Sequence, residues 1–237
     1  MNARQLFQAG RLDEAIEALG AEVRDNPTDA QRRAFLFELL CFAGQYDRAE
    51  KQLSVLGSGG RDAEMGALLY HAALHAERLR QEMFEKESFP VSAAKVVGGT
   101  INGQSFETIT DADPRIGPRL EVFAAGQYMW LPFEHVDSVR AEAPKRLRDL
   151  LWAPAIVRPA ESFKGLEMGE ALLPAVAPLT WRQSDGAVRL GRVTEWVELA
   201  DGGQAPVGQK MLLVDDEEFP ILELRELEIA HVPASST

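Results

Sequence analysis

The sequence predicts an α+β protein: helical hairpins over residues 1–90, then a mostly antiparallel β domain over residues 91–237. Three observations predict it. Only Pro27 and Pro90 fall in the first ninety residues, whereas Trp130, Trp152, Trp181 and Trp196 all lie later. The early part is rich in Ala, Leu, Glu and Arg, which favour helix. The later part carries short Val/Leu/Trp runs broken by Gly and Pro, which favours short strands and loops. The boundary falls near Ser88-Phe89-Pro90.

An internal repeat organises the first half. Ala9-Gly10-Arg11-Leu12-Asp13-Glu14-Ala15 returns as Ala43-Gly44-Gln45-Tyr46-Asp47-Arg48-Ala49, an offset of 34 residues from Gly10 to Gly44. That period resembles the tetratricopeptide helix-turn-helix. Gly10 and Gly44 fit the turn inside each hairpin, where a side chain would crowd the reversal. Asp13 and Asp47 fall at the start of the second helix, where a carboxylate suits the exposed N–H groups. Ala15 and Ala49 are small enough for paired helices to approach closely. Asn26-Pro27-Thr28-Asp29 reads as a stop and a new start. The first unit is expected to be short. The third reads as one helix over 62–87, with Leu68, Leu69, Ala72, Leu79 and Met83 on its apolar side. About two and a half such units cannot close their own core, so one end needs a cap. The second domain is the expected one.

Repeats of this type present a concave face built from their first helices. The register places Gln31, Ala34, Glu38 and Cys41 there from one helix, and Met65, Leu68, Ala72 and His75 from the next. These are the candidate partner-binding residues, with Met65 and Leu68 as apolar anchors and Glu38 setting orientation by charge. The competing reading is that several of them simply pack against the neighbouring domain.

Composition narrows the function classes. Apolar residues make up 46% and charged residues 26%, the mix of a soluble globular protein. Lys and Arg number 25 against 37 Asp and Glu, a formal charge of -12. Such a surface repels phosphate backbones, so nucleic acid is not an expected partner. Cys41, the only cysteine, excludes an internal disulfide or a multi-cysteine zinc site. Charges at Arg4, Arg11, Asp13 and Glu14 leave no signal-peptide apolar core, and no long apolar run suggests a membrane span. A cytoplasmic location is expected.

Motifs for chemistry come close and fail. Gly98-Gly99-Thr100-Ile101-Asn102-Gly103-Gln104-Ser105 has phosphate-loop glycines but Gln104 in place of the lysine, and strand-like alternation follows. A Gly-rich hairpin is the better reading. Asp111-Ala112-Asp113 starts like a calcium loop, but Arg115, Ile116 and Val122 occupy later ligand and turn positions. The two aspartates are expected to organise a turn into Pro114, or to pair with Arg115 or Arg119. His71 and His75 stand one helical turn apart without a third metal ligand. His135 and His231 lack a nucleophile motif, and Cys41 sits in a Leu/Phe-rich helix as a packed apolar group. No catalytic residue, cofactor or metal is expected, and the chain reads as a non-enzyme.

The second half supplies compact runs. Glu121–Ala125 and Tyr128–Leu131 read as a hairpin about Gly126-Gln127. Leu147–Trp152, Arg189–Val197 and Lys210–Val214 follow. Ile221–Ile229 alternates at period two and reads as a strand after Asp215-Asp216-Glu217-Glu218. A small barrel is one arrangement of such strands.

Four of these runs carry a resemblance. Asp111-Ala112-Asp113-Pro114-Arg115-Ile116-Gly117-Pro118-Arg119-Leu120-Glu121 comes first, then Gly126-Gln127-Tyr128-Met129-Trp130-Leu131-Pro132-Phe133-Glu134. Leu147-Arg148-Asp149-Leu150-Leu151-Trp152-Ala153-Pro154-Ala155 and Leu190-Gly191-Arg192-Val193-Thr194-Glu195-Trp196 complete the series. In this order the chain resembles the ImpE/TagJ family, accessory proteins of bacterial type VI secretion, with Glu195 where aspartate is expected. The resemblance implies a cytoplasmic, non-catalytic adaptor that binds the N-terminal helix of the small contractile-sheath subunit. It also implies a link to the AAA+ ATPase ClpV, which disassembles the contracted sheath. No family catalytic residue is carried over, and Trp130, Trp152 and Trp196 are expected to be core anchors. The alternatives are a generic tetratricopeptide scaffold or chaperone outside secretion, or an unrecognised hydrolase, which would need clustered acids of raised pKa in a cleft.

Overall fold

The computed structural model describes residues 1–90, 93–161, 163 and 168–231. The chain forms two compact units. The first comprises Met1–Ser88, Val176–Glu195 and Val207–Gln209; the second comprises Phe89–Ala175, Trp196–Pro206 and Lys210–Thr237.

The first unit holds α1 (Ala3–Gln8), α2 (Leu12–Asp25), α3 (Ala30–Phe42), α4 (Tyr46–Gly57), α5 (Arg61–Glu85) and the short α6 (Gly186–Arg189). Each start has a local cause. Asn2 and Gln5 form a capping box at α1, and the Asp29 carboxylate accepts the Arg32 N–H at α3. Asp13 and Asp47 occupy the first turns of α2 and α4. The repeat extends to single hydrogen bonds. Gly10 and Gly44 adopt φ of +75° and +68°. The Arg11 N–H donates to Leu6 O and the Gln45 N–H to Leu40 O, both at 2.9 Å. The two turns are thus one left-handed helix-ending motif used twice. Ala15 and Ala49 are both fully buried, as close helix approach requires.

The third period departs from the first two. One repeat beyond Gly44 stands Arg78, which cannot make that turn cheaply, and α5 runs on to Glu85. Arg78 instead bonds Asp47 at 2.9 Å and Glu50 at 2.8 Å on α4.

The far half of α5 is covered by a segment remote from it in sequence, which begins at Val176. The Arg80 guanidinium donates to Val176 O at 3.1 Å, and the Gln81 side-chain oxygen accepts the Leu179 N–H at 2.9 Å. Arg182 pairs with Glu85 at 2.6 Å. Further along, a Cβ on Gly44 would lie 2.7 Å from the Trp181 ring, and one on Gly186 would lie 1.8 Å from Gly10 O. The segment therefore lies along the edge formed by the hairpin turns. It is the cap that the short repeat array needs, and it comes from the region read as β-rich.

The second unit is built on an eight-stranded antiparallel sheet of order β2-β1-β13-β6-β7-β8-β4-β5. Its strands are β1 (Gly99–Ile101), β2 (Gln104–Phe106), β4 (Arg119–Ala124), β5 (Gln127–Pro132), β6 (Val136–Ala141), β7 (Trp152–Pro159), β8 (Gly169–Pro174) and β13 (Glu226–Ile229). With β2 and β5 at its two ends, the described strands form an open sheet and not a small barrel. A three-stranded sheet holds β3 (Ile109–Asp111), β11 (Met211–Val214) and β12 (Glu217–Pro220) in the order β12-β11-β3. β9 (Thr194–Glu198) and β10 (Gln204–Gly208) form a separate ribbon.

Both expected hairpins are present. β1 and β2 turn at Asn102-Gly103, and β4 and β5 at Ala125-Gly126, each pair at positive φ. Two expected strands are only partly so. Arg189–Val197 begins as the end of α6, capped by the Asp185 carboxylate, and turns at Gly191 before β9. Ile221–Ile229 opens with a 3-10 turn over Ile221–Glu223 and extends only in β13.

Candidate functional site

α5 carries the candidate surface. Met65, Leu68, Ala72, His75 and Leu79 are spaced three, four, three and four residues apart, which keeps them in one stripe along a helix. Met65 and Leu68 are each 64% exposed, Leu69 beside them 51%, and Leu79 40%. Ala72 is half-buried and His75 exposed. The near half of α5 is bare because no second helix follows it to complete the third hairpin. Its deeply packed side chains, Ala67, Ala73 and Leu74, mark the opposite face. Asp62 and Glu64 are exposed near the start of the stripe.

The eight residues assigned to the concave face separate into three groups. Met65, Leu68, Ala72 and His75 share the α5 stripe. Gln31 lines a cleft of about 430 Å³ together with Arg4, Glu22, Arg32 and Phe35, and Ala34 is half-buried on the same helix. Glu38 and Cys41 are corrected: they are buried, within a stretch of α3 from Leu36 to Phe42 that is enclosed on every side. Glu38 therefore does not orient a docked partner by surface charge. Burial, with the Glu77 and Glu38 carboxylates adding to it, pushes the Cys41 thiol well above its ordinary value, so it stays a neutral packing group. The sequence places Leu69 and Leu79 on the apolar side of this helix with Leu68 and Ala72 but does not include them among the partner-binding candidates. Leu69 stands four residues from Met65 and Leu79 four from His75, and that spacing is the available signal.

The tryptophans also divide. Trp152 is buried as expected. Trp130 is half-buried, stacked on Phe89 at 5.7 Å with the Arg119 guanidinium over its ring. Trp196 is corrected to a surface residue, 37% exposed on the narrow ribbon of β9 and β10, which is too thin to enclose an indole.

The Asp111–Glu121 run folds into a buried polar knot in the second unit. The Asp111 carboxylate accepts the Asp113 N–H at 2.9 Å, and Asp113 pairs with Arg115 at 2.6 Å. Lys210, itself buried, reaches both Asp111 and Glu121. Burial, with Glu121 adding to it against the pull of Lys210, pushes Asp111 up to about 7. Among the described residues no group of three or more His, Cys, Asp and Glu could hold a metal ion. No helix among them is long and apolar enough to cross a membrane.

Helical hairpins at a 34-residue period in one unit and antiparallel sheets in the other define a repeat protein of the tetratricopeptide type that also carries a β module. Family comparison agrees: residues 6–71 match the tetratricopeptide repeat and residues 103–228 match the ImpE protein. The chain belongs to the ImpE family. It is 37% identical to the type VI secretion system accessory component TagJ of Pseudomonas aeruginosa, over 96% of this chain and 91% of that protein. The crystal structure of a Vibrio parahaemolyticus protein shares the fold, with a TM-score of 0.84, 22% identity and 98% of each chain covered.

Proposed function

We propose that this protein is a non-catalytic, cytoplasmic adaptor of a bacterial type VI secretion system. Its α5 stripe receives the N-terminal helix of the small contractile-sheath subunit, and it links that subunit to sheath disassembly by the ClpV ATPase. The observation that carries the reading is the exposure of Met65, Leu68, Leu69 and Leu79 along a helix that lacks its hairpin partner. Similarity to an accessory component of type VI secretion supplies the cellular setting.

The physics of docking is that of an amphipathic helix laid on an apolar stripe, with anchors every three or four residues. Burying side chains the size of Met65 and Leu68 stabilises a complex by roughly 1.5–3 kcal/mol each before ordering costs. Asp62 and Glu64 favour basic residues beside the partner's apolar positions. Native co-purification from cells carrying the secretion genes tests the reading. Recovery of the small sheath subunit with the wild type, and its loss with Leu68→Asp, is the expected result. Recovery of neither the sheath subunit nor ClpV would overturn it.

A further inference from the structure

Asp111, Glu121 and Lys210 meet inside the second unit, and partner binding uses none of them. Lys210 Nζ contacts Asp111 Oδ2 and lies 2.6 Å from Glu121 Oε2. All three residues are buried. Asp111 ends β3 and Lys210 immediately precedes β11, the two strands paired through Leu212 and Asp111. Their chain neighbours Ile109, Val122 and Leu212 belong to the apolar core. The other Glu121 oxygen accepts the Tyr128 O–H at 2.5 Å, and the Trp130 N–H donates to the Tyr128 oxygen. Glu121 is thus held against the lysine by a fixed chain of donors.

Keeping an ammonium and two carboxylates all ionised in a low dielectric is costly, because each charge loses its hydration. Burial pushes Asp111 up to about 7, with Glu121 adding to it against the pull of Lys210, so its carboxyl carries a proton part of the time near neutral pH. The same low dielectric narrows the gap between an ammonium–carboxylate pair and its neutral form, an amine beside a carboxylic acid.

We propose that Lys210 and Asp111 become joined by an isopeptide bond that the folded chain makes itself, with Glu121 carrying the protons. Lys210 Nζ gives a proton to Glu121, and its freed lone pair attacks Cγ of the protonated Asp111 carboxyl, forming the N–C bond. Glu121 passes that proton to the departing hydroxyl, the C–O bond breaks, and water leaves. Glu121 then takes the surplus proton from the new amide nitrogen. An ammonium, a carboxylate and a carboxylic acid thereby become an amide, a water molecule and a protonated Glu121, with no change in net charge. No oxidant, reductant or nucleotide enters. Tyr128 is a positioning residue in this scheme. The bond would staple β3 to β11 and close the long stretch of chain between them.

Intact-mass spectrometry of the purified full-length protein decides the question on the wild type alone. The expected mass is lower than the sequence mass by one water, with a branched peptide joining Asp111 to Lys210 after digestion. Glu121→Gln and Lys210→Arg are expected at full sequence mass. A wild-type protein at full sequence mass, with the Asp111 and Lys210 peptides recovered separately, would overturn the proposal. So would a Glu121→Gln protein linked as completely as the wild type.

Discussion

The Arg189 guanidinium grips the Asp13 carboxylate with both terminal nitrogens, at 2.7 and 3.1 Å. The two residues stand at opposite ends of the sequence of the helical unit, and Arg192 adds bonds to Phe7 O and Gln8 O at 2.8 and 2.9 Å. The array is closed along its turn edge by this late segment. Asp13 is largely exposed, so the ion pair contributes no more than about 1 kcal/mol. Close packing matters more. Gly186→Ala would drive a methyl into Gly10 O and is expected to destabilise the helical unit by roughly 1–3 kcal/mol. Thermal unfolding followed by helical circular dichroism reads it; an unchanged midpoint would mean that the cap contributes little.

Glycines in the repeat differ in kind. Gly44→Ala meets both a left-handed φ of +68° and the Trp181 ring, and is expected to cost about 1–3 kcal/mol. Gly66, inside α5, has no atom within 4 Å of an added Cβ. Gly66→Ala is expected to stabilise by up to about 1 kcal/mol, because alanine suits a helix interior better than glycine. Denaturant midpoints of the two variants should move in opposite directions.

Arg78 gives the third repeat a pH dependence. Its hydrogen bond and charge hold the Glu50 carboxyl below its ordinary value, with His71 a lesser contributor. A depressed folded pKa means that this stability is present above the ordinary glutamate value of 4.5 and fades as pH falls through the folded value. Removing the guanidinium should therefore weaken the acid sensitivity of the helical unit. Melting curves from pH 7 down to about 3 for wild type and Arg78→Met test it; parallel curves would contradict it.

The repeat was legible because its turns need glycine and its close contacts need alanine. Gly10, Gly44, Ala15 and Ala49 announce their roles by type and spacing. The hairpins at Asn102-Gly103 and Ala125-Gly126 were legible for the same reason, to within a residue. Residues 176–195 were not, since a cap held by Arg80, Gln81 and Arg189 leaves no period in the sequence. Ile221–Ile229 misled because its apolar residues look alternating. The buried positions are Ile221, Leu224, Leu227 and Ile229, which is one 3-10 turn followed by a strand. The α5 stripe is half legible: the register brings Met65, Leu68, Ala72 and His75 together, but the sequence reads Glu38 as a surface charge. The apolar run around it, Leu36-Phe37 and Leu39-Leu40, marks a helix enclosed on all sides.

Burial also separates two variants that sequence reasoning would treat alike. Glu38→Ala removes a buried carboxylate and is expected to lower stability by roughly 1–3 kcal/mol. Gln31→Ala, at an exposed position, should stay within about 0.5 kcal/mol of the wild type. Equal melting points for the two variants would place Glu38 at the surface after all.

The proposed function requires a partner helix docked on the bare stripe of α5. Its most direct measurement is a calorimetric titration of the folded protein with the isolated N-terminal helix of the small sheath subunit. Wild type should bind with a negative heat-capacity change, the mark of buried apolar surface. Leu68→Asp should retain the wild-type circular dichroism spectrum and lose at least tenfold in affinity, equivalent to about 1.4 kcal/mol or more. Equal affinity for the folded Leu68→Asp variant and the wild type would contradict the proposed docking.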